Sequence, residues 1–142
     1  MSNFCPPDTP TLTPYLAVQD AARSIAFYES AFGLSLMFKH EMDNRIVHAQ
    51  MGLNGQQLVM FAPENAFGMT AKAPATTKVE APFSMYVYVA NVDRMHEKAI
   101  AAGCTSRMAP DNTFWGERYC QVEDINGYRW GFASVLTSPG HQ

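Results

Sequence analysis

The residue types best suited to acid–base or metal chemistry in this chain are an imidazole and a carboxylate on two alternating segments, His48 and Glu123. Imidazoles and carboxylates serve as bases, acids and metal ligands. Gln50, two residues after His48, adds an amide on the same face of an extended segment. A histidine hydrogen-bonded within a sheet, and a carboxylate paired with Arg129, account for the same residues without any chemistry. Catalytic, metal-binding and structural roles therefore stay open at this point.

The three cysteines are not expected to carry chemistry. Cys5, Cys104 and Cys120 are odd in number and lack the spacing of a structural zinc site or a disulfide frame. Cys104 and Cys120 also lack a neighbouring base in the sequence, and alternation places Cys120 on the buried side of its strand. We therefore expect free thiols that fill a core.

Length and composition limit the classes of function. The 142 residues suit one domain, and 47% hydrophobic with 16% charged residues is enough for a packed core. The net charge of −3 includes no basic stripe, which argues against nucleic-acid and membrane-surface partners. The apolar run 58–62 is among the longest, whereas a membrane span needs about 20 residues. With no signal peptide evident at the start, the sequence predicts a cytoplasmic protein.

The first half of the chain reads as a strand, a helix and three strands. After the strand-forming run 11–18 the apolar period changes from two to 3.6, with Asp20 as the helix N-cap and Gly33 as its left-handed stop. Three strands are expected at 35–41, 45–51 and 56–61, the last two joined by an Asn54-Gly55 turn.

The second half repeats this order after a connector, 62–82, that shows no sustained period. A strand at 83–89 and a helix at 91–102 are followed by strands at 105–109, 117–123 and 129–135. Gly33 and Gly103 end the two helices 70 residues apart, which indicates an internal duplication.

These elements predict an α+β fold made of two βαβββ modules, 11–61 and 83–136, within a single domain, 11–136. Each module forms a curved mixed sheet with one helix on its convex face, and the concave faces remain for a ligand. Residues 1–10 form an N-terminal lead and 137–142 a tail.

The blocks VQDAARSIAFYESAFGL (18–34) and FWGERYCQVEDINGYRWGFAS (114–134) complete this pattern. Together they resemble the vicinal oxygen chelate superfamily, the glyoxalase/bleomycin resistance/dioxygenase fold, over residues 11–136. The resemblance implies that paired modules, from one chain or from two swapped chains, form a U-shaped cleft. It also implies that metal-dependent members carry a His or Glu on the first and last strand of each module.

Those four positions fall on Thr13, Val59, Ser84 and Gly131 in this sequence. Two hydroxyls, an isopropyl group and a bare backbone do not replace imidazole and carboxylate ligands. The resemblance is therefore to a metal-free, bleomycin-resistance-like branch, and no metal or other cofactor is expected.

Strand alternation predicts an aromatic cleft with a few polar groups. Trp115 lies in a turn and is placed at the rim of the cleft, with a dimer contact as the alternative. The expected ligand-binding residues are Tyr15, His48, Gln50, Gln57, Phe61, Tyr86, Tyr88, Trp115, Tyr119, Gln121, Glu123 and Arg129.

Such a lining suits a small organic, partly aromatic or amphipathic compound, and the first hypothesis is a homodimer that sequesters it. The alternative is a metal-dependent lyase, isomerase or dioxygenase that uses His48, Glu123 and Gln50 around a relocated ion. A third interpretation is a structural dimer whose aromatic side chains fill the former substrate space.

Overall fold

The computed structural model describes residues 4–137, so the last five residues of the expected tail and the first three of the lead lie outside it. The first half forms a four-stranded sheet in the order β1-β4-β3-β2, with one helix, α1. Strand β1 is parallel to β4, and the other pairs are antiparallel. The bounds are β1 Tyr15–Val18, α1 Ala21–Phe32, β2 Ser35–Met42, β3 Arg45–Leu53 and β4 Gln56–Pro63.

The second half repeats the arrangement as a sheet in the order β5-β8-β7-β6. Its bounds are β5 Ser84–Tyr88, α3 Val92–Ala102, β6 Thr105–Asn112, β7 Glu117–Glu123 and β8 Arg129–Val135. Both sheets are mixed and curved, which confirms the predicted α+β fold of two βαβββ modules with a helix on each convex face. None of the helices within residues 4–137 is long and apolar enough to cross a membrane.

Both long helices begin and end where the sequence predicts. The Asp20 side chain accepts a hydrogen bond from Arg23 N at 2.8 Å, and the Asn91 side chain accepts one from Arg94 N at 3.0 Å. Gly33 then leaves α1 at φ 70°, a left-handed conformation that glycine adopts without steric cost. The caps fix where each helix starts on its sheet.

The connector contains structure that its lack of period did not reveal. It carries a 3₁₀ turn at Ala66–Gly68 and a short helix, α2, at Pro74–Thr77. Ala73 N donates to Glu64 Oε2 at 2.8 Å, and Ala75 N donates to the Asn126 carbonyl at 2.8 Å. The connector is thereby held against the turn between β7 and β8.

The two modules share one core through α1. Phe32 packs against Trp130 and Phe132 with ring centroids 4.8 and 5.0 Å apart, and all three side chains are buried. Near them, the Tyr128 hydroxyl of module two donates to the Ala17 carbonyl of β1 at 2.8 Å. Apolar burial and specific hydrogen bonds therefore join the modules at the same place.

A single buried carboxylate organises this junction. Asp124 Oδ2 accepts hydrogen bonds from Tyr28 Oη at 2.6 Å and Trp130 Nε1 at 2.8 Å. Its Oδ1 accepts the backbone N–H groups of Asn126 and Tyr128 at 2.8 and 3.0 Å. Burial raises the pKa of Asp124, and the four donors oppose that effect.

Strand β4 corrects one expectation. Phe61 and Val59 are fully buried on the helix side, with the Phe61 ring 5.7 Å from that of Tyr28, so the prediction that they face the cleft is wrong. The register shifts by one residue between Met51 and Gly52 of β3, which inserts a bulge at Leu58. Gln57 lies beyond the bulge and does point to the concave side, as its bonds below show.

Asp124→Asn is expected to lower the free energy of unfolding by about 3 kcal/mol, because the amide NH₂ leaves buried donors without an acceptor. Urea unfolding at pH 7 measures the loss. Asp43→Asn is the matched control and should cost almost nothing, since Asp43 lies in an exposed turn at φ 52°, a conformation that asparagine accepts.

The raised pKa of Asp124 predicts that the difference in stability between the native protein and Asp124→Asn depends on pH. The folded protein holds the Asp124 proton more tightly than the unfolded chain does, so protonation of Asp124 stabilises the folded state in acid. This stabilisation is lost as the pH rises from the ordinary aspartate range through the raised pKa. The stability advantage of the native protein over Asp124→Asn should therefore shrink from pH 4 to pH 7. A growing advantage would contradict the raised pKa.

Candidate functional site

The concave face of the first sheet carries a continuous line of side-chain hydrogen bonds. Tyr15 Oη lies 2.8 Å from His48 Nδ1, and His48 Nε2 lies 3.0 Å from Gln50 Oε1. Gln50 Nε2 donates to Gln57 Oε1 at 2.5 Å, and Gln57 Nε2 donates to Thr13 Oγ1 at 3.0 Å. Strand alternation on β1 and β3, with the bulge on β4, brings these side chains to one face.

This line fixes the tautomer of His48. Because Gln50 uses its NH₂ group on Gln57, its Oε1 accepts from His48 Nε2–H, and His48 Nδ1 then accepts from the Tyr15 hydroxyl. Tyr15 also stacks on the imidazole with centroids 5.6 Å apart, and partial burial raises the pKa of its phenol. The hydrogen-bonded interpretation of His48 is thus the one the geometry favours.

The concave face of the second sheet carries a different group, which we call the Glu117 cluster: Glu117 with Tyr86, Tyr88, Trp115 and Tyr119. Tyr86 Oη and Trp115 Nε1 donate to Glu117 Oε1 at 2.5 and 3.0 Å, and Tyr88 Oη donates to Oε2 at 2.6 Å. Tyr119 stacks on Tyr86 with centroids 5.3 Å apart. The hydrogen bonds from Tyr86, Tyr88 and Trp115, in that order, lower the pKa of Glu117.

Sequence reasoning did not single out Glu117. It shares strand parity with Tyr119, Gln121 and Glu123, which were all placed on the concave face. Extending the same alternation by one step towards the start of β7 would have found it. The candidate position lay at the predicted strand boundary, where such counts are least secure.

Glu123 is paired within the structure. Arg107 Nη2 lies 2.7 Å from its Oε1, and Arg129 Nε lies 3.4 Å from the same atom. Arg129 also approaches Glu80, with Nη1 3.3 Å from Oε2. The structural alternative for Glu123, pairing with Arg129, is therefore present, with Arg107 as a second partner that the sequence did not indicate.

Tyr119 lies where a side chain at position 131 would be. A Cβ added to Gly131 would come within 2.5 Å of the Tyr119 hydroxyl, so only glycine leaves room for this ring. Gln121 Nε2 donates to the same hydroxyl at 3.1 Å. The predicted cleft residues Tyr119 and Gln121 are thus part of one packed arrangement.

The residues at the four ligand positions do not fit a divalent metal. The Thr13 hydroxyl already accepts from Gln57, Ser84 offers one exposed hydroxyl, and Gly131 has no side chain. On β4 the position assigned to Val59 faces the helix, and its concave neighbours Leu58 and Met60 offer at most a thioether. Hydroxyls and a thioether do not make the imidazole–carboxylate set that such ions require.

The alternative set of metal ligands, His48, Gln50 and Glu123, is not brought together either. His48 and Gln50 bond within the first sheet, whereas Glu123 is held by arginines on the second. Within residues 4–137 no three His, Cys, Asp or Glu side chains are grouped as a metal site. Burial raises the pKa of Cys104 to about 12 and of Cys120 to about 11, as expected for thiols that fill a core.

An apolar groove opens where the two modules meet. Its volume is about 390 Å³, within the range of small-molecule sites. The groove is lined by residues from the approach to β1, from β4 and from β5: Leu12, Pro14, Leu58, Phe83, Ser84, Met85, Tyr86 and Val87. Tyr86 belongs to both features, because it is one of the residues that line the groove and its hydroxyl bonds to Glu117.

Residues 11–132 match the family described as the Glyoxalase/Bleomycin resistance protein/Dioxygenase superfamily. The chain belongs to this superfamily. Two mycobacterial relatives, each named an uncharacterized protein, are 32% identical over 130 residues and 89% of this chain. The match covers 84% of the protein from Mycobacterium bovis and 75% of that from Mycobacterium tuberculosis.

Solved structures of other proteins show the same fold. TioX from Micromonospora sp. ML1 aligns with a TM-score of 0.69 at 24% identity, over 88% of this chain and 98% of its own. A glyoxalase-related enzyme from Fulvimarina pelagi aligns with a TM-score of 0.64 at 18% identity, over 88% of each chain. These likenesses support the fold, while the function rests on the residues of this superfamily member itself.

Gly131→Ala tests the position of Tyr119. In an ordinary strand this change stabilises by about 0.5–1 kcal/mol, because alanine loses less conformational entropy than glycine. Here it should destabilise by about 1–3 kcal/mol through the clash with the Tyr119 ring. Urea unfolding measures the sign, and Ser134→Ala on the same strand serves as a control with little effect. A more stable Gly131→Ala protein would show that Tyr119 lies elsewhere.

Proposed function

We propose that this protein binds and sequesters a small, partly aromatic or amphipathic compound in the cleft between its βαβββ modules, in the cytoplasm and as a homodimer. The observation that carries this proposal is the Glu117 cluster beside the groove. Tyr86, Tyr88 and Trp115 are 45%, 58% and 53% exposed, although each is held by a hydrogen bond to the same carboxylate.

Aromatic rings that are both fixed and exposed favour ligand binding. A folded surface does not gain from exposing three large rings, and rings locked by polar contacts lose little further conformational entropy when a flat molecule stacks on them. The adjoining groove supplies an apolar wall for the remainder of such a molecule. Orientation is then set by the amides and hydroxyls around the rings.

The homodimer is supported by exposed apolar side chains on β2 and in the turn between β6 and β7. Phe38 is 52% exposed beside His48, and Phe114, packed edge-on to Trp115, is 97% exposed. Contiguous exposed apolar side chains mark ligand sites and protein interfaces. We expect a second copy to cover part of these surfaces, and sedimentation velocity should give a dimer mass. A monomer at micromolar concentration would contradict this part of the proposal.

The binding proposal predicts a specific loss on truncating one ring. Tyr86→Leu should weaken the binding of a neutral flat probe, 4-methylquinoline at pH 8, by about tenfold, because the stacking surface is lost. Tyr86→Phe keeps the ring and should retain most of the affinity. Isothermal titration calorimetry measures both.

Ile100→Ala is the control for a general loss of apolar surface, since Ile100 lies exposed on α3, outside the groove and the Glu117 cluster. It should bind the probe as the native protein does. Equal affinity of Tyr86→Leu and the native protein would remove this surface from the site.

Metal-dependent lyase, isomerase or dioxygenase activity is the competing function within the superfamily. It would require an ion held by groups other than those at the four ligand positions, and His48 is the strongest remaining ligand type. We expect purified protein exposed to Zn²⁺, Mn²⁺ and Fe²⁺ to retain far less than one ion per chain, with His48→Ala unchanged in metal content. Stoichiometric metal that is lost in His48→Ala would favour the enzyme.

A further inference from the structure

We propose that the Glu117 cluster recognises an organic cation, such as a methylated ammonium or an N-alkylated heteroaromatic ring, as the charged end of the ligand. This inference rests on the proposed binding function and names the ligand class.

The charge of Glu117 has no cationic partner among the residues that the structure describes. Its three hydrogen-bond donors, Tyr86, Tyr88 and Trp115, are neutral, so they hold the carboxylate in place without cancelling its charge. The neighbouring Arg118 points to α3, where its Nε and Nη2 bond both oxygens of Asp93 at 2.9 and 3.0 Å. The Glu117 carboxylate can therefore form an ion pair with a positively charged ligand.

Glu123 provides the contrast on the same strand and face. Its carboxylate is within 2.7 Å of Arg107 and 3.4 Å of Arg129, so its charge is compensated inside the protein. The same three donors that position Glu117 also hold its pKa below the ordinary range, and it is therefore ionised at neutral pH. Of these two carboxylates on β7, only Glu117 lacks a cationic partner among the residues that the structure describes.

The surrounding rings select the kind of cation. Tyr86, Tyr88 and Trp115 present π faces, whose negative quadrupole attracts a positive charge within about 6 Å. A methylated or ring-bound nitrogen has apolar surface to lay on these faces and needs no hydrogen-bond acceptor. An inorganic ion or a primary ammonium would require several oxygen acceptors, and the Glu117 oxygens already accept three hydrogen bonds.

The apolar groove offers a binding surface for the uncharged part of the ligand. Tyr86 is one of the residues that line the groove, and its hydroxyl donates to the Glu117 carboxylate at 2.5 Å. In the proposed complex, a flat molecule that stacks on Tyr86 lays its apolar body in the groove and its positive end near Glu117. An amphipathic cation fits both ends at once.

Two probes of equal size separate charge from shape: N-methylquinolinium and neutral 4-methylquinoline, titrated at pH 8 by isothermal titration calorimetry. The native protein should bind the cation at least tenfold more tightly at low salt, and added NaCl should narrow this gap because the ion pair is partly exposed. In Glu117→Gln the ratio should fall to about twofold or less. Glu97→Gln, on the exposed face of α3, removes the same charge elsewhere and should keep the native ratio.

Each outcome has one meaning. Equal affinity for the two probes in the native protein, or an unchanged ratio in Glu117→Gln, would overturn the cation inference and leave the proposed aromatic binding in place. Failure of both probes to bind the native protein at millimolar concentration would overturn both. If Glu117→Gln does not fold, the salt dependence of the native ratio decides, because a ratio independent of salt contradicts recognition by a carboxylate.

Discussion

The buried carboxylate of Asp124 is the contact on which the arrangement of the two modules depends. It accepts four hydrogen bonds, and these come from α1 of the first module and from β8 and the β7–β8 turn of the second. A buried anion is tolerated only when its lone pairs are filled with good geometry, so its donors must stay in place together. The relative position of the sheets, and with it the groove at their junction, follows from that requirement.

The two modules use equivalent positions for different electrostatics. Tyr15 and Tyr86 occupy corresponding places on β1 and β5, yet the first hydroxyl meets the His48 imidazole and the second meets the Glu117 carboxylate. In the first sheet every polar atom of the line from Tyr15 to Thr13 is paired with another side chain, which leaves no uncompensated charge. In the second sheet, neutral donors fix the Glu117 carboxylate in place without neutralising its charge. Corresponding positions of the two modules thus carry an imidazole–amide hydrogen-bond line on one concave face and a carboxylate held by aromatic donors on the other.

Local rules in the sequence were enough for most of the fold, and their failures have physical causes. Three of the helix ends followed from Asp20 and the two C-terminal glycines, because caps depend on a few neighbouring residues. Phe61 was misplaced because a bulge on β4 depends on pairing with β3, which alternation along one strand does not contain. Arg107 as partner of Glu123, and the rings that surround Glu117, arise from contacts between strands distant in sequence. The candidate site is therefore less predictable than the elements that carry it.

Two of the four positions that the resemblance assigns to metal ligands, Thr13 and Gly131, have structural roles in this chain. Thr13 ends the hydrogen-bond line that fixes Gln57, and the missing side chain at Gly131 is the space that Tyr119 occupies. A metal ligand at position 131 and Tyr119 in its present position exclude each other sterically. Since Tyr119 stacks on Tyr86, and Tyr86 bonds to Glu117, a metal ligand at position 131 would disturb the aromatic cluster. Metal coordination at this position and the packing of these rings are alternative uses of one space.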